Sequence, residues 1–168
     1  MSIVDHWIEY YPAIIQTILQ HTEAQMGQIF SLTSTEAEKI IAAAIGTLES
    51  QLDVASIVLV NRDETEIAKT VMDGVKPLTA RIAFMKARQA AWTGKPTDQT
   101  RNDIAAGKFT AISLGINPEE LVPWAGGVPI YDQEGHLLGG IGVSNLAQEK
   151  DKDVAENAVV KAGFKVCP

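Results

Sequence analysis

The apolar positions of this chain recur with a helical period in several stretches and run together in others. From residue 3 to about 26, Ile3, Val4, Trp7, Ile8, Tyr11, Ile14, Ile15, Ile18, Leu19 and Met26 form a helical stripe. Pro12 falls inside it and either kinks the helix or opens a second one at its first turn. This stripe either packs on its own domain or acts as an oligomer arm that covers a neighbouring subunit. A second stripe, Ala37, Ile40, Ile41, Ala44, Ile45, Leu48 and Leu52, follows Thr33-Ser34-Thr35-Glu36, which matches a capping box. Residues 54–60, apolar except for Ser56, predict a buried strand, 61–64 a turn, and 65–72 a return strand closed by Asp73-Gly74. Residues 78–92 predict a helix, with Gly94 beyond its end and Pro96 soon after. Residues 95–120 read as a long ordered loop with short helical turns, and such loops often carry function. A hairpin over 121–145 and a helix from about Gln148 to Ala162 complete the chain. This order predicts an α+β domain, an antiparallel sheet with helices packed against it, over residues 31–168. Residues 1–30 read as an N-terminal helical extension.

The hairpin is the most informative stretch. Two apolar runs flank a polar turn in which Gly135 supplies a positive-φ position. Gly127, Gly139, Gly140 and Gly142 border or interrupt the strands. Glycine weakens a strand interior, so it gathers where a ligand or another backbone must approach closely. A small-molecule site is expected here.

Composition narrows the function classes. A net charge of −7 argues against non-specific nucleic-acid binding, which needs a basic face, and against docking on anionic membranes. The single cysteine, Cys167, has no internal partner, which suits a reducing compartment. No run reaches the ~18 apolar residues of a membrane span, and no secretory signal pattern opens the chain, so a cytoplasmic location is expected. P-loop, GxGxxG, CxxC and HExxH motifs are absent. The three histidines, His6, His21 and His136, lack metal-ligand spacing, so no metal site is expected.

Several segments together resemble the GlcG/HbpS-like proteins, which include the C-terminal domain of PduO-type proteins. They are Val58-Leu59-Val60-Asn61-Arg62, Val71-Met72-Asp73-Gly74-Val75, Lys86-Ala87-Arg88-Gln89-Ala90-Ala91, Gly126-Gly127-Val128-Pro129-Ile130, Gly140-Ile141-Gly142-Val143-Ser144, and Asp151 through Val154-Ala155. The resemblance implies a profilin-like fold with a central antiparallel sheet, and homo-oligomers. It implies haem as a cofactor in some members. It also implies kinship with small proteins of aromatic-compound degradation, hydroxylaminobenzoate lyases among them. Asn61 stands where an aspartate is common, and Asn145 where a glycine is common. The helix over 34–52 contains no histidine, so His21 is the candidate haem ligand, provided the N-terminal arm folds over the site.

Two functions follow as expectations. One is a cofactor-free lyase acting on a small aromatic carboxylate; the other is a haem- or tetrapyrrole-binding protein. For the first, Asp73, Lys86 and Tyr131 are the candidate proton-moving residues. Arg81 is the candidate carboxylate clamp, since a guanidinium grips a carboxylate with two hydrogen bonds. Trp124, with Gly126 and Gly127, is the candidate substrate wall. Lys86 sits among Ala83, Ala87 and Ala90, where its amine either enters a cavity or extends to solvent. Trp92 and Phe109 are further aromatic candidates.

Overall fold

A computed structural model describes residues 30–168, so the N-terminal stripe and His21 lie outside the described residues. The helix predicted after the capping box is α1, Ser34–Ser50. Thr33 Oγ1 accepts from the Glu36 amide at 3.3 Å, and Glu36 Oε2 accepts from the Thr33 amide at 2.9 Å. Two of the amides left unpaired at the helix start are thereby satisfied.

Strands β1 (Ser56–Asn61), β2 (Glu66–Val71), β3 (Gly127–Tyr131) and β4 (Leu137–Ser144) form one antiparallel sheet in the order β2-β1-β4-β3. The domain is therefore α+β, as expected. Side chains alternate across a strand, and the core divides accordingly. Ile57, Leu59, Val128, Ile130, Ile141 and Val143 meet α1 and the last helix, α4 (Gln148–Lys161), on one face. Val58 and Val60 meet Ala83, Ala87 and Ala91 of α2 (Thr79–Thr93) on the other. Tyr131 pairs with Lys165, so the C-terminal segment covers part of the β3 edge.

Three of the hairpin glycines, Gly127, Gly140 and Gly142, belong to that second face. A Cβ on Gly140 would strike the Ala87 carbonyl, one on Gly142 the Ala83 carbonyl, and one on Gly127 the Lys86 carbonyl. Of the two roles the sequence allowed, close approach of another backbone is the one these glycines serve. The alanine face of α2 rests directly on a floor of glycines, and the helix axis is drawn in toward the sheet.

The segment read as a loop over 95–120 holds a regular helix, α3 (Thr97–Ala105), and two 3-10 turns, Ile112–Leu114 and Pro118–Glu120. The buried residues of α3 are Thr97, Thr100 and Asp103. They carry no apolar period, so the helix left no stripe to read. Thr97 Oγ1 donates to the Trp124 carbonyl and accepts from the Gly127 amide, which ties α3 to the entry of β3.

Candidate functional site

The C-terminal end of β4 and the first turns of α2 and α4 converge at one end of the sheet. Between them lies an open cavity of about 450 Å³. Its wall includes Lys76 from the segment before α2, Thr79 and Ile82 from the first turn of α2, Ser144 at the end of β4, Asn145 and Leu146 after it, and Gln148 and Asp151 from α4. Trp124 flanks it with an indole that is 50% exposed. Neither α2 nor α4 has a side-chain N-cap. Helix starts carry partial positive charge and spare amide donors, which favour anionic groups nearby.

Lys86 reaches this cavity from the middle of α2 although it is only 1% exposed. Its Nζ donates to Asp151 Oδ2 at 2.8 Å and to the Val143 carbonyl at 2.9 Å. Asp151 Oδ1 accepts from the Leu146 amide at 3.0 Å. Two helices and the end of β4 are thus joined through one ion pair. Burial pushes the Lys86 ammonium below the usual lysine range, and the Asp151 charge opposes that shift. Burial likewise pushes the Asp151 carboxyl up, against the attraction of Lys86. Burial thus works against both charges, and each charge is held by the other.

Behind the pair, Gly126 has φ +110°, and a Cβ there would lie 2.8 Å from Lys86 Nζ and 2.7 Å from the Asp151 Cβ. Gly126 therefore seals the rear of the site, and the cavity is in front. Asn145 has φ +148°, a conformation that favours glycine. Its side chain holds it there, donating to the Val54 carbonyl at 2.8 Å and accepting from the Lys76 amide at 3.0 Å. The asparagine thus stitches the rim of the cavity together where a glycine would leave it free.

The structure brings Lys86, Trp124 and Gly126 together, and it places Gly127 beneath the Lys86 carbonyl. It does not bring Asp73, Arg81 or Tyr131 to the cavity wall. Asp73 is exposed in the turn after β2, and Arg81 is exposed on α2. The Tyr131 hydroxyl donates to the Gly94 carbonyl at 2.9 Å, on the far part of the α2 face. Trp92 lies under the Arg88 guanidinium at 4.5 Å, and Phe109 lies near Lys95. His136 is bound to Asp132 and stacked on Phe30 at the β3–β4 turn.

Asp151 is the residue that sequence reasoning did not assign. It entered only as part of a matching segment. A lysine among alanines needs an acid if it is buried, but 65 residues separate the two and the chain holds 21 acidic residues. Ser144, Asn145, Gln148 and Lys76 joined the site for the same reason, through tertiary convergence alone.

This fold and site define a class: a small α+β domain with a polar cavity where a strand end meets two helix starts. Residues 32–160 match the family model described as haem degrading protein HbpS-like, and the chain belongs to that family. It is similar to the corrinoid adenosyltransferase PduO of Citrobacter freundii, 26% identical over 161 residues. The match covers 94% of this chain and 45% of that protein, so the chain spans about half the length of this curated relative. The fold is also that of a PduOC:heme complex, with a TM-score of 0.72 at 20% identity, over 82% of this chain and 99% of the other. A double mutant of Streptomyces reticuli HbpS superposes with a TM-score of 0.71 at 23% identity, covering 82% and 90%. Among the described residues no helix is long and apolar enough to cross a membrane.

Proposed function

We propose that the protein binds haem or a related tetrapyrrole, with the ligand's carboxylates and one ring edge received by the cavity that Trp124 flanks. The observation that carries this reading is the lining itself, in a chain of the HbpS-like family. It joins a lysine at the rim, an amide side chain at Gln148, two uncapped helix starts and a half-exposed indole. Carboxylates suit the first three and a flat ring suits the fourth. A cavity of about 450 Å³ that is open to solvent receives part of a macrocycle and leaves the rest outside. The described lining residues include no histidine, cysteine or methionine, and His136 is engaged elsewhere. The donor set thus fits the carboxylates and the ring face, and it supplies no strong axial ligand for iron. His21 remains the sequence's candidate for that role and lies outside the described residues.

Titration of the protein with hemin and, separately, with iron-free protoporphyrin IX tests this reading. Both are expected to bind saturably near one equivalent per subunit. Lys76→Ala and Trp124→Ala are each expected to weaken both ligands by roughly tenfold, about 1.4 kcal/mol. If His21 ligates iron, His21→Ala changes the hemin spectrum alone. A linear, non-saturating response to both porphyrins refutes the reading.

A second reading rests on one specific observation. The cavity is of a size for a benzoate, and its floor is a buried acid–base pair. It is a lyase of the hydroxylaminobenzoate type. Protonation of the departing N–O oxygen would activate the ring, and water would then add, releasing ammonia and a dihydroxybenzoate. Lys86 is the proton donor in this reading and Asp151 its proton reservoir. Incubation with hydroxylaminobenzoate and measurement of ammonia decides it, and no ammonia above the protein-free control refutes it.

A further inference from the structure

Lys86 is the one buried amine at the floor of the cavity, and its surroundings are asymmetric. The ammonium has three N–H donors. Among the described residues one is taken by Asp151 Oδ2 and one by the Val143 carbonyl, which leaves the third. Gly126 closes the rear of the amine so tightly that no side chain fits there. The side that remains open is the cavity. A purely structural ion pair between α2 and α4 would be served equally well by an amine enclosed on every side.

We propose that Lys86 captures carbonyl compounds, forming an imine with a small aldehyde or ketone that carries a carboxylate and sits in this cavity. Asp151 Oδ2, 2.8 Å from Nζ, first accepts a proton from the ammonium. The freed nitrogen pair then attacks the carbonyl carbon, a C–N bond forms, and the carbonyl π electrons move to oxygen. The oxygen takes one proton from nitrogen and a second back from Asp151, and leaves as water. The product is a protonated imine paired with the Asp151 carboxylate, so one ammonium and one carbonyl yield one iminium and one water. The Val143 carbonyl orients the nitrogen through these steps. Buried lysines suit this chemistry because desolvation raises the share of free amine, and the direction of the Lys86 shift agrees. Lys76 at the rim supplies a cation for the ligand's carboxylate. The inference rests on the cavity being a ligand site and does not require haem to be its ligand.

The test uses the full chain with 4-formylbenzoate as the probe and cyanoborohydride to fix any imine as a secondary amine. Peptide mapping by mass spectrometry then locates the label. The expected result is label concentrated on Lys86 in the folded protein, ahead of exposed lysines such as Lys108, with that preference lost in urea. Asp151→Asn is expected to slow labelling of Lys86 without moving the label elsewhere. Label spread over the exposed lysines with Lys86 unmodified overturns the proposal, and so does a Lys86 preference that persists in urea. Because the mapping is done on the unaltered protein, it does not depend on any variant folding. Hemin titration of the same preparation decides the tetrapyrrole reading separately: hemin binding without a Lys86 adduct leaves that reading standing and sinks this one, and the reverse pattern does the opposite.

Discussion

Replacing Lys86 with methionine isolates the energetics of the site, because methionine keeps most of the stem volume and removes the charge. In the native chain Lys86 is 1% and Asp151 3% exposed, and each satisfies the other. The variant loses the hydrogen bonds to Asp151 and to the Val143 carbonyl and leaves a buried carboxylate with the Leu146 amide as its remaining named partner. Removing one member of a buried pair costs about 3–5 kcal/mol at neutral pH, since the other charge is left without compensation. For a chain of this length that corresponds to a fall in melting temperature of roughly 6–20 °C. The cost also has a pH signature. Without the cation, burial holds the Asp151 folded-state pKa above its ordinary value of 3.8. Between those two values the folded protein keeps a proton that the unfolded chain has released, so stability declines as pH rises through the folded pKa. The deficit of the variant is therefore expected to shrink as the buffer is taken from about pH 7.5 to about pH 5. Urea denaturation of both proteins across that range reads it directly. The double variant Lys86→Met/Asp151→Leu is expected to recover most of the loss, because a well-packed apolar pair replaces a buried ion pair at little cost. A single variant within about 1 kcal/mol of the native protein, with no pH dependence in the difference, would refute this account of the site.

Other outcomes follow from the same packing. Gly142→Ala drives a Cβ into the Ala83 carbonyl and is expected to cost about 1–3 kcal/mol in urea melts, because α2 must lift from the sheet. Gly46→Ala, in α1 with nothing within 4 Å of the new Cβ, is expected to stabilise by about 0.5–1 kcal/mol. Thr33→Ala removes the cap of α1 and is expected to cost about 1 kcal/mol by the same assay. Tyr131→Phe removes the bond to the Gly94 carbonyl and is expected to cost about 0.5–1.5 kcal/mol while leaving hemin affinity unchanged. Asp73→Asn and Arg81→Ala, both exposed and off the cavity wall, are expected to change stability by less than about 0.5 kcal/mol and hemin titrations not at all.

Helix α1 was legible to the residue at its start, since a capping box and an apolar stripe are local signals. The strand pair β1–β2 and the glycine hairpin were equally local, each marked by an apolar run and a turn. Helix α3 was not legible, because its buried side is made of threonines and an aspartate that pair with residues far along the chain. The glycines of the hairpin are a local signal that allows two explanations, a ligand or another backbone at close range. Only the packed structure shows that α2, rather than a ligand, lies against Gly127, Gly140 and Gly142.

For the site the division is sharper. Sequence alone marked Lys86 as a lysine among small residues and Trp124 as an aromatic beside the glycine hairpin, and both line the cavity. It could not choose the acid. Asp73 and Asp151 are alike as residue types, and what separates them is that α4 docks across the end of β4 and carries Asp151 to within 2.8 Å of Lys86 Nζ, while Asp73 stays in an exposed turn. Short-range pattern thus determined the strands, every helix but α3, their order and the resemblance to the family. The partner of a buried charge, and the cavity in front of it, depend on contacts between distant segments, which form only when the helices close on the sheet.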